Sequence, residues 1–238
     1  MRIAGAGLFV ALLSGTAMAQ PVHSLDAVEA RQGVASDGTH AYAIDNSRIG
    51  KYDLKTGRRI ASWEGEPALF PHMNACTLAD RKLLCAASNY PKVPMTSAIE
   101  IFDPVAMTHL STISLGMMSA GSLTWVSRKD GFWWAGFANY AGRGGEPGHD
   151  NRYTTIVKFD AQWRRIEGFA LPDTVLERMA PMSTSGGAWG DDGLLYVTGH
   201  DRPELYALRP PKAGSVLELV ATIPIPFEGQ AIDWDPKQ

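Results

Sequence analysis

The sequence predicts an all-β protein with the β-propeller fold, in which four-stranded antiparallel blades surround a central channel. Three observations predict this fold: a unit that occurs four times and begins a fifth time, four short strands in each unit, and weak helical periodicity almost everywhere. Four strands in a unit of about 40 to 50 residues are typical of a propeller blade. We therefore expect four complete blades plus an incomplete fifth.

Each unit opens with a short stretch of small and apolar residues, which we assign to the innermost strand of a blade. These stretches are 32–35, 74–77, 122–125, 187–189 and 230–232. A turn follows each of them, at Asp37-Gly38, Asp80-Arg81, Asp130-Gly131, Asp192-Gly193 and Asp235-Pro236. Asp-Gly between apolar runs favours a hairpin, because glycine adopts positive φ without strain.

Three more strands complete each unit. The second strands are 40–45, 83–87, 132–137 and 194–198, the third are 49–53, 99–103, 156–160 and 205–208, and the fourth are 59–63, 109–115, 166–171 and 217–223. Apolar and polar residues alternate along the third strands, as half-buried strands require. The best helix candidate is 174–179, which lies in the connection before the fourth unit.

The fifth unit begins at Glu228, and the sequence stops at its first turn. Residues 22–29 could supply the outer strand of this blade, which leaves its two middle strands missing. A truncated chain, a ring closed by a reduced fifth blade and a four-bladed ring with terminal extensions all fit the pattern. We favour truncation, because proteins rarely leave strand edges bare.

The N-terminus has the order of a secretory signal peptide over residues 1–19. Arg2 gives a positive start, an apolar run covers 8–13, and Ala17-Met18-Ala19 forms a small-x-small cleavage site. We expect one propeller domain over 20–238, exported to the periplasm or outside the cell, without a membrane span. The 22 basic and 25 acidic residues leave a net charge of −3, which argues against a nucleic-acid partner.

The two cysteines, Cys76 and Cys85, flank one of the predicted turns. A hairpin centred between Asp80 and Arg81 places them opposite each other, with Cα atoms about 4.5–5.5 Å apart and therefore within disulfide range. Because export leads to an oxidising compartment, we favour a structural disulfide over two buried free thiols.

Two segments resemble known propeller repeats. The run Tyr52-Asp53-Leu54-Lys55-Thr56-Gly57 resembles the turn between the third and fourth strands of YVTN repeats, and 228–235 resembles the blade opening of SMP-30-like propellers. The resemblance to the YVTN and SMP-30/NHL-like families implies a β-propeller over most of residues 30–238. SMP-30-like enzymes have six blades and a calcium site whose full ligand set this sequence lacks, so their lactonase activity is not carried over.

The long connections of the predicted blades all fall on one face of the ring, which we call the loop-rich face. They are the loops 88–98, 139–153 and 199–203 and the links between blades 65–73 and 172–185. Long loops on a rigid scaffold commonly carry binding and catalytic residues. The candidate ligand-binding residues there are His72, Asn74, Asn89, Tyr90, Glu228 and Gln230.

The loop-rich face also carries candidate catalytic residues. Gly-His-Asp occurs at 148–150 and again at 199–201, in equivalent loops of successive blades. His149 or His200 could act as a general base beside Asp201, and Arg143 or Arg202 could neutralise an anionic substrate. The alternative is that both triplets are solvated loop residues, because a metal site needs three or four convergent ligands.

Polar residues begin several innermost strands, so we expect a polar ring in the central channel, formed by Gln32, Asn74, Ser122 and Gln230. Their oxygens could bind a divalent cation or hold ordered water. Six of the tryptophans are assigned to packing between blades rather than to ligand binding: Trp63, Trp125, Trp133, Trp134, Trp189 and Trp234.

Two functions fit these features, since propellers host both. The favoured one is a module that binds a small molecule or a protein through the loop-rich face. The alternative is a small-molecule hydrolase or isomerase that uses the His, Asp and Arg residues of that face. Convergence of His72, His149 and His200 would favour catalysis, and dispersion of these three residues would favour binding.

Overall fold

The computed structural model describes residues 24–117, 120–228 and 230–235, and it confirms the four-bladed propeller. Each blade is a four-stranded antiparallel sheet whose strands pair in chain order. Blade 1 contains β1 (Gly33–Ser36), β2 (His40–Asp45), β3 (Arg48–Asp53) and β4 (Arg59–Glu64). Blade 2 contains β5 (His72–Ala79), β6 (Lys82–Ser88), β7 (Ser97–Asp103) and β8 (Thr108–Gly116). Blade 3 contains β9 (Ser122–Lys129), β10 (Phe132–Ala138), β11 (Thr155–Phe159) and β12 (Arg165–Ala170). Blade 4 contains β13 (Gly186–Trp189), β14 (Leu195–Thr198), β15 (Glu204–Arg209) and β16 (Glu218–Pro224).

The hairpins form where turn chemistry and strand alternation agree. Asp80 and Arg81 both have positive φ, so β5 and β6 join through a two-residue turn of the kind that matches strand twist. This turn sets Cys76 opposite Cys85, and the two residues form the expected disulfide with Cα atoms 4.0 Å apart. The predicted register of this hairpin is therefore confirmed.

Three of the seams between blades are filled by apolar side chains. Tyr42 and Ile49 pack against Phe102 between blades 1 and 2. Ile99 and Phe137 belong to the cluster between blades 2 and 3. The cluster between blades 3 and 4 is built around Trp125, Trp134, Leu195, Tyr206 and the helix that precedes blade 4. Most of the tryptophans therefore pack between blades, as the sequence predicts.

The seam between blade 4 and blade 1 is different. The C-terminal segment 230–235 lies there and forms no strand. The Thr198 hydroxyl donates to the backbone carbonyl of Gln230 at one end of the segment. The backbone N–H of Ser36 donates to the Asp233 carboxylate at 3.0 Å. The segment thus lies beside the innermost strands of blades 4 and 1, and the residues that the structure describes form four blades.

The N-terminal segment 24–30 packs on blade 1 without forming a strand. Glu29 is buried there and accepts hydrogen bonds from the Tyr52 hydroxyl at 2.5 Å and from Arg59 at 2.6 Å. Residues 24–29, the described part of the strand expected over 22–29, therefore form no strand. The predicted signal peptide, 1–19, lies outside the described residues.

The predicted helix forms as α1 (Asp173–Met179), directly before blade 4. Its buried residues Val175, Leu176 and Met179 join the apolar cluster between blades 3 and 4. Within the part of the chain that the structure describes, no helix is long and apolar enough to cross a membrane.

Candidate functional site

Three aromatic rings meet in the middle of the loop-rich face. The imidazole of His72 lies 5.0 Å from the ring of Tyr90, and Tyr90 lies 5.5 Å from Tyr140 in an edge-to-face arrangement. His72 begins β5, Tyr90 belongs to the loop between β6 and β7, and Tyr140 follows β10. Met95 and Met182 pack against the two tyrosines. Blades 2 and 3 are therefore joined on this face by side chains of their loops.

The glycine-rich stretch 142–148 is fixed against this cluster. The Glu146 carboxylate accepts a hydrogen bond from the backbone N–H of Met95 at 2.8 Å. Gly144 lies so close to the Tyr90 ring that a Cβ atom there would overlap it. Asn89 holds its own loop, because its side chain donates to the Pro94 carbonyl and accepts from the Thr96 N–H. The stretch therefore fills the space between two loops.

His72 is held as a neutral imidazole. Burial lowers the pKa of His72 to about 4, since a charged imidazole would lose its water. One ring nitrogen, Nδ1, lies 2.7 Å from the side-chain oxygen of Asn46 on the neighbouring blade. His72 is thus a packing and hydrogen-bonding residue at neutral pH.

The first Gly-His-Asp triplet does not form a His–carboxylate pair. The imidazole of His149 stacks on the ring of Tyr153, with centroids 4.2 Å apart. The Asp150 carboxylate caps a short 3-10 turn (Asn151–Tyr153) and pairs with the Arg152 side chain. Arg143, in the same loop, is exposed.

The second triplet does form such a pair. Nδ1 of His200 lies 2.5 Å from a carboxylate oxygen of Asp201, and both side chains are exposed. Arg202 follows, also exposed. The neighbouring Glu204, which no motif in the sequence marks, accepts hydrogen bonds from Arg178 and from the Tyr206 hydroxyl. The hydrogen bond from Arg178 lowers the pKa of Glu204 to about 2, so Glu204 is a carboxylate at neutral pH. The hydrogen-bonded group of Arg178, Glu204 and Tyr206 forms only because α1 packs against blade 4 in the folded protein.

The polar residues at the starts of the innermost strands are used inside the protein. The Asn74 side chain donates to the backbone carbonyl of Leu123 at 3.2 Å and links two innermost strands. Ser122 is buried, and its hydroxyl has no hydrogen-bond partner among the described residues. Glu228 is exposed, and Gln230 and Gln32 are half-buried.

No group of three or more His, Cys, Asp or Glu residues within the described ranges could hold a metal ion. His72, His149 and His200 therefore do not converge.

Every blade also places at least one large exposed apolar side chain on the loop-rich face. These residues are Leu69, Val93, Met117, Tyr153 and Phe227. They come from links and loops, in which exposed apolar residues are not needed for strand packing. Two clefts lie between them, one of about 240 Å³ beside Leu69 and Asn89, and one of about 500 Å³ between the 3-10 turn and α1.

No family model matches the chain, and no curated protein matches it. Among solved structures, the PQQ-bound form of aldose sugar dehydrogenase from Streptomyces coelicolor matches with a TM-score of 0.53 and 16% identity, over 88% of this chain and 73% of that chain. The β-propeller domain of Cps50 (Swd1) from Myceliophteria thermophila matches with a TM-score of 0.42 and 13% identity, over 86% of this chain and 77% of that chain. A luciferin-regenerating enzyme matches with a TM-score of 0.48 and 11% identity, over 84% and 78% of the two chains. At these identities the likeness to the dehydrogenase concerns the fold alone.

Proposed function

We propose that this chain is a non-catalytic binding module whose loop-rich face docks a protein partner. The observation that carries the proposal is the set of exposed apolar side chains that all four blades place on this face. A contiguous patch of exposed apolar side chains with a polar rim is typical of protein-binding surfaces. The packed aromatic cluster of His72, Tyr90 and Tyr140 supports them, because it keeps the loops in one arrangement before a partner arrives.

Three finer proposals accompany this one. The order of charged, apolar and small residues over 1–19 supports export, so the partner would be met in the periplasm or outside the cell. The turn at Tyr52–Gly57 supports a relationship to YVTN or SMP-30/NHL-like repeats. The position of segment 230–235 supports a fifth sector of the ring, of which this segment would be the innermost part.

The test compares two double variants that change exposed apolar residues in different places. Leu69→Asp with Tyr153→Asp alters the loop-rich face, whereas Ile60→Asp with Leu110→Asp alters equally exposed positions on the outermost strands β4 and β8. Wild type, loop variant and strand variant would be crosslinked to proteins of the exported fraction. We expect a partner that is lost, by at least about tenfold, from the loop variant alone. Equal recovery with both variants would overturn the proposal.

The second candidate function is a hydrolase or isomerase centred on His200. It rests on the hydrogen-bonded pair of His200 and Asp201, the arrangement that a general base requires. Turnover of a metabolite by the wild-type protein, lost in His200→Ala and retained in His149→Ala, would establish this function. The same result would exclude a purely binding role.

A further inference from the structure

A cleft on the opposite face of the ring combines aromatic rings with carboxylates. The turn between β13 and β14 and the end of segment 230–235 enclose about 400 Å³ there. The side chains that line it are Trp189, Asp191, Asp192, Tyr196, Trp234 and Asp235. None of these described lining residues is basic, and three of them are carboxylates.

Two of the aromatic rings form adjoining walls. The indole of Trp234 lies 5.2 Å from the ring of Tyr196, and the two planes meet at 81°. Trp234 is 46% exposed, which is high for a side chain that the sequence assigns to packing between blades. Aromatic faces that stay accessible beside carboxylates attract organic cations, because both the ring quadrupole and the charge favour a positive group.

Asp192 is ionised at neutral pH. The Tyr196 hydroxyl donates to Asp192 at 2.7 Å, and this hydrogen bond holds the pKa of Asp192 below its usual value. Asp191 precedes it and is exposed. An anionic ligand would be repelled here, and a neutral apolar ligand would strip water from charges without compensating them.

We propose that this cleft binds an organic ammonium group, either as a free amine or as a lysine side chain of a peptide. The aromatic walls and the carboxylates would contact the cation. A bare metal ion fits less well, because the described residues hold no group of three metal-ligating side chains. The site is separate from the loop-rich face, so either proposal can fail without the other.

The test uses two matched pairs of probes on the full-length exported form, with the indole N–H signals of the tryptophans recorded by NMR. Choline and its neutral isostere 3,3-dimethylbutanol represent the free source. N-acetyl-lysine methylamide and its Nε-acetylated form represent the peptide source. We expect a charged probe to shift the Trp189 and Trp234 signals while its neutral counterpart does not, and the pair that discriminates identifies the source. Equal shifts with charged and neutral probes, or no shift at millimolar concentrations, would overturn the proposal.

Variants locate the site. Trp234→Leu and Asp191→Asn should each weaken binding of the charged probe by about 2- to 30-fold, the range that one cation–π or charge contact supplies. Tyr153→Leu is the control, because Tyr153 is an exposed aromatic residue on the opposite face. Unchanged signals elsewhere in the spectrum would show that each variant is folded. Binding that both cleft variants retain at full strength would assign the probe to another place and refute the inference.

Discussion

The seam between blades 3 and 4 and the seam between blades 4 and 1 hold the ring together by different means. The first is filled by a large apolar cluster around the fully buried Trp125 and is covered by α1. The second is bridged by segment 230–235, which reaches blade 1 through the hydrogen bond from Ser36 to Asp233. No buried apolar cluster of the described residues spans this second seam.

The difference shows where the stability of the ring resides. Burial of apolar surface contributes about 25 cal/mol per Å² and is insensitive to pH, whereas hydrogen bonds contribute about 1 kcal/mol each and depend on protonation when a carboxylate accepts them. We therefore expect the apolar seams to set the global stability of the protein. The polar seam should open locally first, and its opening should depend on pH.

The largest expected effect comes from replacing one tryptophan in each of the two seams by alanine and comparing the losses of stability. The Trp125 indole donates to the Thr184 hydroxyl at 2.9 Å and packs so tightly on Gly136 and Gly187 that a Cβ atom at either glycine would overlap it. Trp125→Ala should lower the free energy of unfolding by about 3–5 kcal/mol. Trp234→Ala, in the polar seam, should cost less than about 1 kcal/mol. Urea unfolding of both variants measures the difference, and equal losses would contradict the comparison.

The disulfide gives the next largest effect, in the apolar seam between blades 1 and 2. Cys76 and Cys85 both belong to the cluster that fills this seam. The double variant Cys76→Ala with Cys85→Ala should lose about 2–3 kcal/mol, since the crosslink restricts the unfolded chain. A reducing agent should lower the urea midpoint of the wild-type protein and leave that of the double variant unchanged. If the oxidised wild-type protein and the double variant had the same urea midpoint, the disulfide would contribute nothing to stability.

The contrast between seams also marks the limit of what the sequence predicts. Strand alternation and turn residues act locally, so β2 has the predicted bounds and the register of Cys76 and Cys85 follows from the Asp80-Arg81 turn. The aromatic cluster of His72, Tyr90 and Tyr140 and the acceptor role of Glu204 depend on how separate blades come together, which no local pattern encodes. Trp234 follows the repeat pattern in sequence and yet is 46% exposed.

Glu29 tests the blade 1 side of the polar seam. Burial raises its pKa, but the hydrogen bonds from Tyr52 and Arg59 outweigh burial and leave the pKa of Glu29 below its usual value. Glu29→Ala should cost about 1–3 kcal/mol, because the Tyr52 hydroxyl loses its acceptor in a buried position. Glu218→Ala, which breaks an exposed pair with Arg209, is the control and should change stability by less than about 1 kcal/mol. Chemical denaturation measures the free energy of unfolding of both variants, and similar losses would refute a special role of the buried carboxylate.

Asp233 should give an effect whose pH dependence is opposite to that of Glu29. Burial raises the pKa of Asp233 to about 7 although the N–H groups of Ser36 and Trp234 donate to it. Because the folded value lies above the unfolded one, its contribution is complete below about pH 4 and is lost as the pH rises through 7. The contribution of Glu29 runs the other way, since its pKa is lowered, and is lost in acid.

Because Glu29 loses its contribution in acid and Asp233 loses its contribution near neutral pH, we expect the seam to be most stable at mildly acidic pH. Hydrogen exchange of the Ser36 backbone N–H measures this stability. After correction for intrinsic exchange, protection of the Ser36 N–H from hydrogen exchange should fall between pH 5 and 8 in the wild-type protein. In Asp233→Asn, whose side chain retains an acceptor but has no proton to lose, the protection should stay constant. The Leu123 amide, which donates to Ser97 at the seam between blades 2 and 3, should show no such change in either protein. A parallel decline at Leu123 would mean that the whole ring loosens, and the polar seam would then have no separate behaviour.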